Sequence, residues 1–306
     1  MKILSQIFAM ALGLMAMISA PAHAKVQVFA CEPEWTLLAK MIGGDSVEAY
    51  SATHARQDPH HVRAKPSLIA KMRKADLVFC SGASLEVGWL PILQQKAGKA
   101  NTQPGTVGYL LAAAVVPTLE KPTRIDRADG DIHPEGNPHV HMNPHNIAIV
   151  AAALKERLKA LDHANSDMYQ GRYEAFSKAW LRAIGRWENA AKGLKGARVV
   201  VHHKSFSYLL DWLGVKEVGA LEAKPGIPPT TAHLEALLQT LSRRSASVII
   251  RTPYDSANAS EWLANKTGIP AVILPFTVGG DNQSNNLYEL FDRTIALLQE
   301  AHRGQQ

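Results

Sequence analysis

Short apolar runs alternate with amphipathic stretches along most of this 306-residue chain. The runs are rich in Val, Ile and Phe, which predicts buried strands, and the stretches between them place apolar residues at helical spacing. Strand and helix in alternation are typical of parallel sheets covered by helices on both faces. The predicted strands are Val26–Ala30, Val47–Ser51, Leu77–Cys80, Val115–Leu119, Arg198–Val201, Val215–Leu221, Ser247–Arg251 and Ala271–Pro275.

The helical stretches carry start and stop signals, with Pro near several beginnings and Gly after several ends. One stretch, Ser166–Leu194, is much longer than the others and repeats large apolar side chains on one stripe, for a length of roughly 42 Å. It is either a strut between two lobes or an ordinary long core helix. The other predicted helices are Glu34–Ile42, Pro66–Lys74, Leu85–Gln95, Pro144–Leu161, Phe206–Leu213, Thr231–Arg243, Ala257–Thr267 and Leu287–His302.

The chain begins with a pattern typical of an export signal. Lys2 precedes a short apolar run, and Ala22-His23-Ala24 is a small-residue cleavage site, so we expect the mature chain to begin at Lys25 outside the cytoplasm. No cysteine stands at the cleavage point, which argues against a lipid anchor. We expect an N-terminal lobe over residues 25–164, a linking helix over 165–195 and a C-terminal lobe over 196–306.

The formal net charge of +6 is spread over the chain without a Lys/Arg block, so it indicates a solvated surface and no nucleic-acid partner. The two cysteines, Cys31 and Cys80, each lie at the end of a predicted strand. They form either a disulfide, which export permits, or two buried thiols. Two cysteines are too few for a Cys-rich structural zinc site.

Histidines are the candidate metal ligands, because neutral imidazole is the commonest transition-metal ligand among side chains. His60, His139 and His203 lie after a predicted strand or before a predicted helix, as does Asp281. Ligands of open α/β sheets bind at the carboxyl ends of the strands, so a metal site between the two lobes is expected. Three imidazoles with a carboxylate or water suit zinc better than calcium, magnesium or manganese.

Three segments carry a family resemblance: DPHHVRAKPS, NPHVHMNP and HHKSFSYLLDWLG. Together they resemble the ligand motifs of the zinc and manganese substrate-binding proteins of bacterial ABC importers, in order and spacing. The resemblance implies two α/β lobes joined by one long helix, limited hinge motion and delivery of a metal ion to a membrane permease, and the histidine at position 203 favours Zn²⁺ as that ion. We expect the protein to be a monomer.

By that resemblance, His60, His139 and His203 match the three histidine ligands, and His203 stands where manganese and iron members tend to have Glu. Relatives often place an acidic fourth ligand after the last strand, but Pro275–Gly279 contains no acid. Asp281 is the nearest candidate, and a water or His61 is the alternative.

Many zinc members carry a long His- and acid-rich loop before the second ligand, and here it is short. Its His133 and the nearby His141 are possible auxiliary metal ligands, and the loop is either a weak zinc collector or a plain flexible loop. The short loop contains Asp126, Asp129, Asp131, His133 and Glu135.

Three functions compete at this point. The first is zinc binding for import, with a manganese-binding member of the same class as its variant. The second is a secreted zinc hydrolase, because three histidines and an open position also describe catalytic zinc. The chain lacks an HExxH segment, and nothing in the surroundings of Glu34 or Glu222 marks either as a general base. The third is a binder of an organic ligand or metal chelate, which the histidine spacing disfavours.

Overall fold

The computed structural model describes residues 24–126, 128 and 130–305. The predicted export segment therefore lies outside the described residues, apart from Ala24. Within the described residues the strands form two four-stranded parallel sheets, with the orders β2-β1-β3-β4 and β6-β5-β7-β8. The first sheet consists of β1 (Val26–Ala30), β2 (Val47–Ser51), β3 (Leu77–Cys80) and β4 (Tyr109–Leu111), and the second of β5 (Arg198–Val201), β6 (Lys216–Ala220), β7 (Val248–Arg251) and β8 (Ala271–Ile273).

The two sheets thus share one strand order, which confirms the two-lobe α/β fold. In each, the order reverses beside the first strand, which is where ligands of such sheets bind. The described helices are α1 (Pro33–Gly43), α2 (Pro66–Lys74), α3 (Leu90–Ala97), α4 (Pro144–Leu161), α5 (Ser166–Ala191), α6 (Ser207–Leu213), α7 (Thr231–Arg243), α8 (Ala257–Thr267) and α9 (Leu287–Arg303). None of these described helices combines the length and the apolar character needed to cross a membrane.

Alternate residues of each strand enter different cores, because side chains along a strand point to opposite faces of the sheet. In β1, Val28 belongs to a large central core, whereas Phe29 belongs to a smaller core under α2 and α3. In β5, Val199 joins the same central core and Val200 joins a third core under α7 and α8. One continuous apolar core therefore reaches from the first sheet to the second.

The long helix α5 lies inside that central core. Its large apolar residues Tyr169, Phe176, Trp180 and Trp187 are buried on one side, as the repeat in the sequence predicted. The helix packs against α1, α4 and α9, so it contacts helices of both lobes. It is at once the connection between the lobes and a core helix, and the two alternatives for it were not exclusive.

The region between β3 and α4 differs from its prediction. The structure forms β4 at Tyr109–Leu111, paired with β3, and it forms no strand at 115–119. A three-residue edge strand leaves too short an apolar pattern to detect, whereas Val115 and Val116 are apolar because they pack against the central core. The helix predicted to begin at Leu85 begins at Leu90, after a run of turns.

Cys31 and Cys80 form a disulfide between the carboxyl ends of the neighbouring strands β1 and β3. The bond closes a loop with a sequence separation of 49 residues and is fully buried in the core under α2 and α3. A cross-link of this kind restricts the unfolded chain more than the folded one, so it stabilises the fold.

We expect the double substitution Cys31→Ala/Cys80→Ala to lower the free energy of unfolding by ~2–4 kcal/mol, because the unfolded chain regains the entropy of the open loop. Urea titration followed by circular dichroism measures this. Reductant added to the wild-type protein should lower the midpoint similarly, and reductant added to the double variant should change nothing. An unchanged midpoint in the double variant would contradict the stabilising role.

Candidate metal centre

His60 is positioned by a tight turn in the loop after β2. The Asp58 carboxylate accepts hydrogen bonds from the His60 backbone N–H at 2.9 Å and from its Nδ1 at 2.8 Å. On the other side, the buried indole of Trp89 donates to the carbonyl of Pro59 at 2.9 Å. Since a carboxylate only accepts, Nδ1 carries the proton and Nε2 presents its lone pair to the cleft.

His139 lies in the first lobe, directly before a single 3₁₀ turn that leads into α4. Its backbone N–H donates to the Asn137 side chain at 2.9 Å, and Asn143 caps α4 by accepting from His145 N. The His139 side chain is fully buried, yet neither ring nitrogen has a hydrogen-bond partner. A buried polar group without a partner is costly, and the binding of an ion is one explanation for such a group.

His203 follows β5, in the second lobe. Its Nδ1 donates to Glu222 Oε2 at 2.7 Å, so its Nε2 also faces the cleft. Glu222 follows β6, the neighbour of β5 in the sheet, and its backbone N–H is bonded to the carbonyl of His202. The pairing of the two strands therefore brings the carboxylate behind the imidazole.

The structure brings these three histidines together. One ring nitrogen from each of His60, His139 and His203 lies within 4.8 Å of the others, although they come from three distant segments and two lobes. The ring centroids of His60 and His139 are 5.6 Å apart, those of His60 and His203 are 5.5 Å apart, and those of His139 and His203 are 5.7 Å apart. Their nitrogens are thus near enough to share one metal ion.

His133, which the sequence suggested only as an auxiliary ligand, lies beside His60 but outside the set of three histidines whose ring nitrogens lie within 4.8 Å of one another. Its Nε2 lies 3.2 Å from Nε2 of His60, and its Nδ1 lies 2.9 Å from the carbonyl oxygen of Ala83. Its ring centroid is 5.3 Å from that of His60 and 6.4 Å from that of His139.

The other sequence candidates lie elsewhere. The His61 side chain is 66% exposed and approaches Asp131 at 3.7 Å. The His141 side chain is buried, with Nε2 donating to the carbonyl of Phe276 at 2.9 Å and Nδ1 lying 3.3 Å from Glu34 Oε1. Neither residue belongs to the cluster of three that the described residues form.

Asp281 is held away from the histidines by other partners. Its Oδ2 accepts from Arg293 Nε at 2.8 Å, and its Oδ1 accepts from the backbone of Gln283 at 3.0 Å. The ion pair with Arg293 keeps the pKa of Asp281 below its usual value against the effect of its partial burial. Asp281 therefore caps a turn and pairs with α9, and coordination by its carboxylate would require this ion pair to break.

Burial keeps two of these histidines in the neutral form that can bind a cation. Burial lowers the pKa of His139 far below its ordinary value, and the neighbouring histidines lower it further. Burial likewise lowers the pKa of His133 to about 4. Burial opposes the charged form of His203 too, but Glu222 outweighs it and raises the pKa of His203. His139 and His133 are therefore neutral at pH 7, which is the form that binds metal.

A cavity of about 220 Å³ opens beside the cluster. Its lining combines His133 and His139 of the first lobe with His203, Lys204 and Pro225 of the second. This volume lies below the range of roughly 300–1,000 Å³ that is usual for pockets of drug-sized ligands. Fold and site together define a two-lobed binding protein whose cleft is built to hold one transition-metal ion.

Comparison with known proteins agrees with this class. The family model for ZnuA, the periplasmic component A of zinc-uptake complexes, matches residues 28–301, and the chain belongs to that family. The chain is 24% identical over 248 residues to the manganese ABC transporter substrate-binding lipoprotein PsaA of Streptococcus pneumoniae, which covers 78% of this chain and 76% of the relative. The chain is therefore a metal-binding substrate-binding protein of an ABC importer, a role that works with a membrane permease and is not enzymatic.

Solved structures share the fold. A zinc-bound deletion mutant of ZnuA superposes with a TM-score of 0.76 at 20% identity, over 92% of this chain and 98% of the other. A manganese-bound periplasmic metal-binding protein of Candidatus Liberibacter asiaticus superposes with a TM-score of 0.73 at 17% identity, over 90% and 99%. The family is that of the binding protein and not of a hydrolase. Glu222 accepts a hydrogen bond from His203, and Glu34 accepts one from the hydroxyl of Thr277.

Two carboxylates that support the histidines were missed as such in the sequence. Asp58 precedes His60 by two residues with a Pro between, a spacing that allows the side chain to accept from the next turn. Glu222 gave no local signal, because its partner is distant in the sequence and is brought close only by the pairing of β5 with β6.

We expect Asp58→Asn and Glu222→Gln each to lower metal affinity by ~10–100-fold, because each replaces the anionic acceptor that orients an imidazole and raises its basicity by a neutral amide. Calorimetric titration of the purified variants measures this. Glu235→Gln on the exposed side of α7 is the matched control and should bind as the wild type does. Wild-type affinity in both cleft variants would show that the carboxylates do not support the ligands.

Proposed function

We propose that this protein captures zinc outside the cytoplasmic membrane and delivers it to the permease of an ABC importer. The observation that carries the proposal is the convergence of His60, His139 and His203 at the cleft, with ring nitrogens within 4.8 Å of one another. Three imidazoles from two lobes form a donor set that suits zinc, and the ion they share would hold the lobes together.

The relatives leave the choice of metal open, because several of them are named for manganese and one similar solved structure holds zinc. Donor chemistry supports zinc. Manganese is matched by carboxylate, carbonyl and water oxygens, whereas imidazole suits zinc, and affinities of divalent metals place zinc above manganese. The carboxylates that contact these histidines, Asp58 and Glu222, bond the Nδ1 atoms of His60 and His203.

The proposal includes the setting of the site. We place the lobe limits at residues 25–164 and 196–306, with the linking helix over 165–195, and we propose export with cleavage after Ala24. Although relatives are named as lipoproteins, the two cysteines of this sequence are joined in a disulfide, so neither is available for a lipid. A monomer without a nucleic-acid partner is consistent with the dispersed charge.

We expect His60→Ala, His139→Ala and His203→Ala each to weaken zinc binding by ~100-fold or more, because losing a ligand costs more than losing its orienting partner. Calorimetry with a competing chelator measures the affinity, and circular dichroism checks the fold. His163→Ala, at an exposed position before α5, is the matched control. Near-normal affinity in any cleft variant would remove that residue from the ligand set.

We expect zinc to outcompete manganese by ~100-fold or more, because nitrogen ligands favour zinc. Equilibrium dialysis of the protein against both metals at equal free concentrations, with the bound metal determined by mass spectrometry, tests this. A preference for manganese would refute the zinc assignment while leaving the importer class intact.

A further inference from the structure

The short distance between His133 and His60 is the feature that the three-histidine site does not explain. Their two Nε2 atoms lie 3.2 Å apart, within hydrogen-bond reach. A hydrogen bond would need one of these nitrogens to carry the proton, yet each ring donates its proton elsewhere through Nδ1. His60 bonds the Asp58 carboxylate, and His133 bonds the carbonyl of Ala83.

Both partners can only accept, so both Nε2 atoms present lone pairs. Two lone pairs that face each other repel, and a cation between or beside them removes the repulsion. The arrangement of the two rings is therefore suited to sharing a metal ion.

The backbone that holds His133 is itself unusual. Ala83 and Ser84, in the turn that follows β3 and contacts the His133 ring, both have left-handed backbone angles, with φ of 49° and 64°. Residues other than glycine rarely adopt this conformation, and it persists only where the surrounding structure holds it. Here the turn aims the Ala83 carbonyl at His133, and the Ser84 hydroxyl donates to Glu135 at 2.8 Å.

The segment around His133 is also held from the second lobe. The backbone N–H of Asp131 donates to the carbonyl of Pro225 at 2.9 Å, and Gly130 lies against the same carbonyl. Residues 130–135 of the short loop, which was predicted as a zinc collector or a flexible loop, are thus bonded to both lobes, with His133 between the two attachments. Asp129 of that loop lies outside the described residues.

We propose that His133 is the fourth ligand, so that the ion captured by this protein is held by four imidazoles. This inference rests on the proposed function. His133 takes the place for which the sequence offered Asp281, water or His61. Asp281 is bound to Arg293, and the side chain of His61 points largely into solvent.

Four neutral nitrogen ligands have a consequence for selectivity. Replacing an anionic oxygen by imidazole removes the donor that manganese prefers, so His133 increases the advantage of zinc. The substitution His133→Glu places a carboxylate at the same position of the short loop. It should lower the ratio of zinc affinity to manganese affinity.

The test combines ligand counting with affinity. X-ray absorption at the zinc edge should show four imidazoles in the wild type and three with a lighter oxygen shell in His133→Ala. Calorimetry should give an affinity at least ~10-fold weaker in His133→Ala, equivalent to ~1.4 kcal/mol, and unchanged affinities in Asp281→Ala and in the control His163→Ala.

The outcomes separate the inference from the proposed function. If the wild type binds zinc through three imidazoles and an oxygen, or if Asp281→Ala weakens binding and His133→Ala does not, the inference is wrong and the function stands. A His133→Glu variant with an unchanged metal preference would also count against it. If the wild type does not bind zinc at all, both the inference and the proposed function are wrong.

Discussion

A site shared by two lobes depends on a fixed distance between them, and the buried face of α5 sets that distance. Trp180 stacks on Phe176 and packs against Tyr288 and Phe291 of α9, while its indole N–H donates to the carbonyl of Pro144 at the start of α4. The helix therefore contacts both lobes through the same residue. Because protein cores pack at crystal-like density, the lobes have little freedom to slide.

A second set of buried polar contacts fixes the lobes close to the metal centre. Glu34, at the start of α1, accepts from the hydroxyl of Thr277 in the other lobe and lies 3.3 Å from His141 Nδ1. His141 in turn donates to the carbonyl of Phe276. The segment after β8, where relatives often place an acidic ligand, is thus tied to the first lobe by hydrogen bonds. His141, a possible ligand on sequence grounds, has this joining role.

The sequence specified the fold well because most of its signals are local. Strand bounds such as Val26–Ala30 and helix bounds such as Thr231–Arg243 follow from the periodicity of apolar residues and from capping residues. Both signals depend only on residues that are close in the sequence. The three histidines were predictable because strand ends converge in a parallel fold. The partners behind them depend on pairings across the sheet, as Glu222 and His203 show, and no local pattern encodes these.

The fourth ligand position is also not encoded by a local pattern, and a physical argument explains why it need not be a carboxylate. The sequence pointed to Asp281 because a carboxylate offsets the charge of the ion, but an anion need not touch the metal to do so. Asp58 and Glu222 each accept the Nδ1 proton of a histidine proposed as a ligand, so two carboxylates stand on the far side of these rings from the cleft. A carboxylate that accepts the Nδ1 proton makes the imidazole a stronger donor to a bound cation, while nitrogen remains the atom in contact with the metal. In the proposed site these two carboxylates thereby offset the charge of a divalent ion, and the nitrogen donor set still favours zinc over manganese.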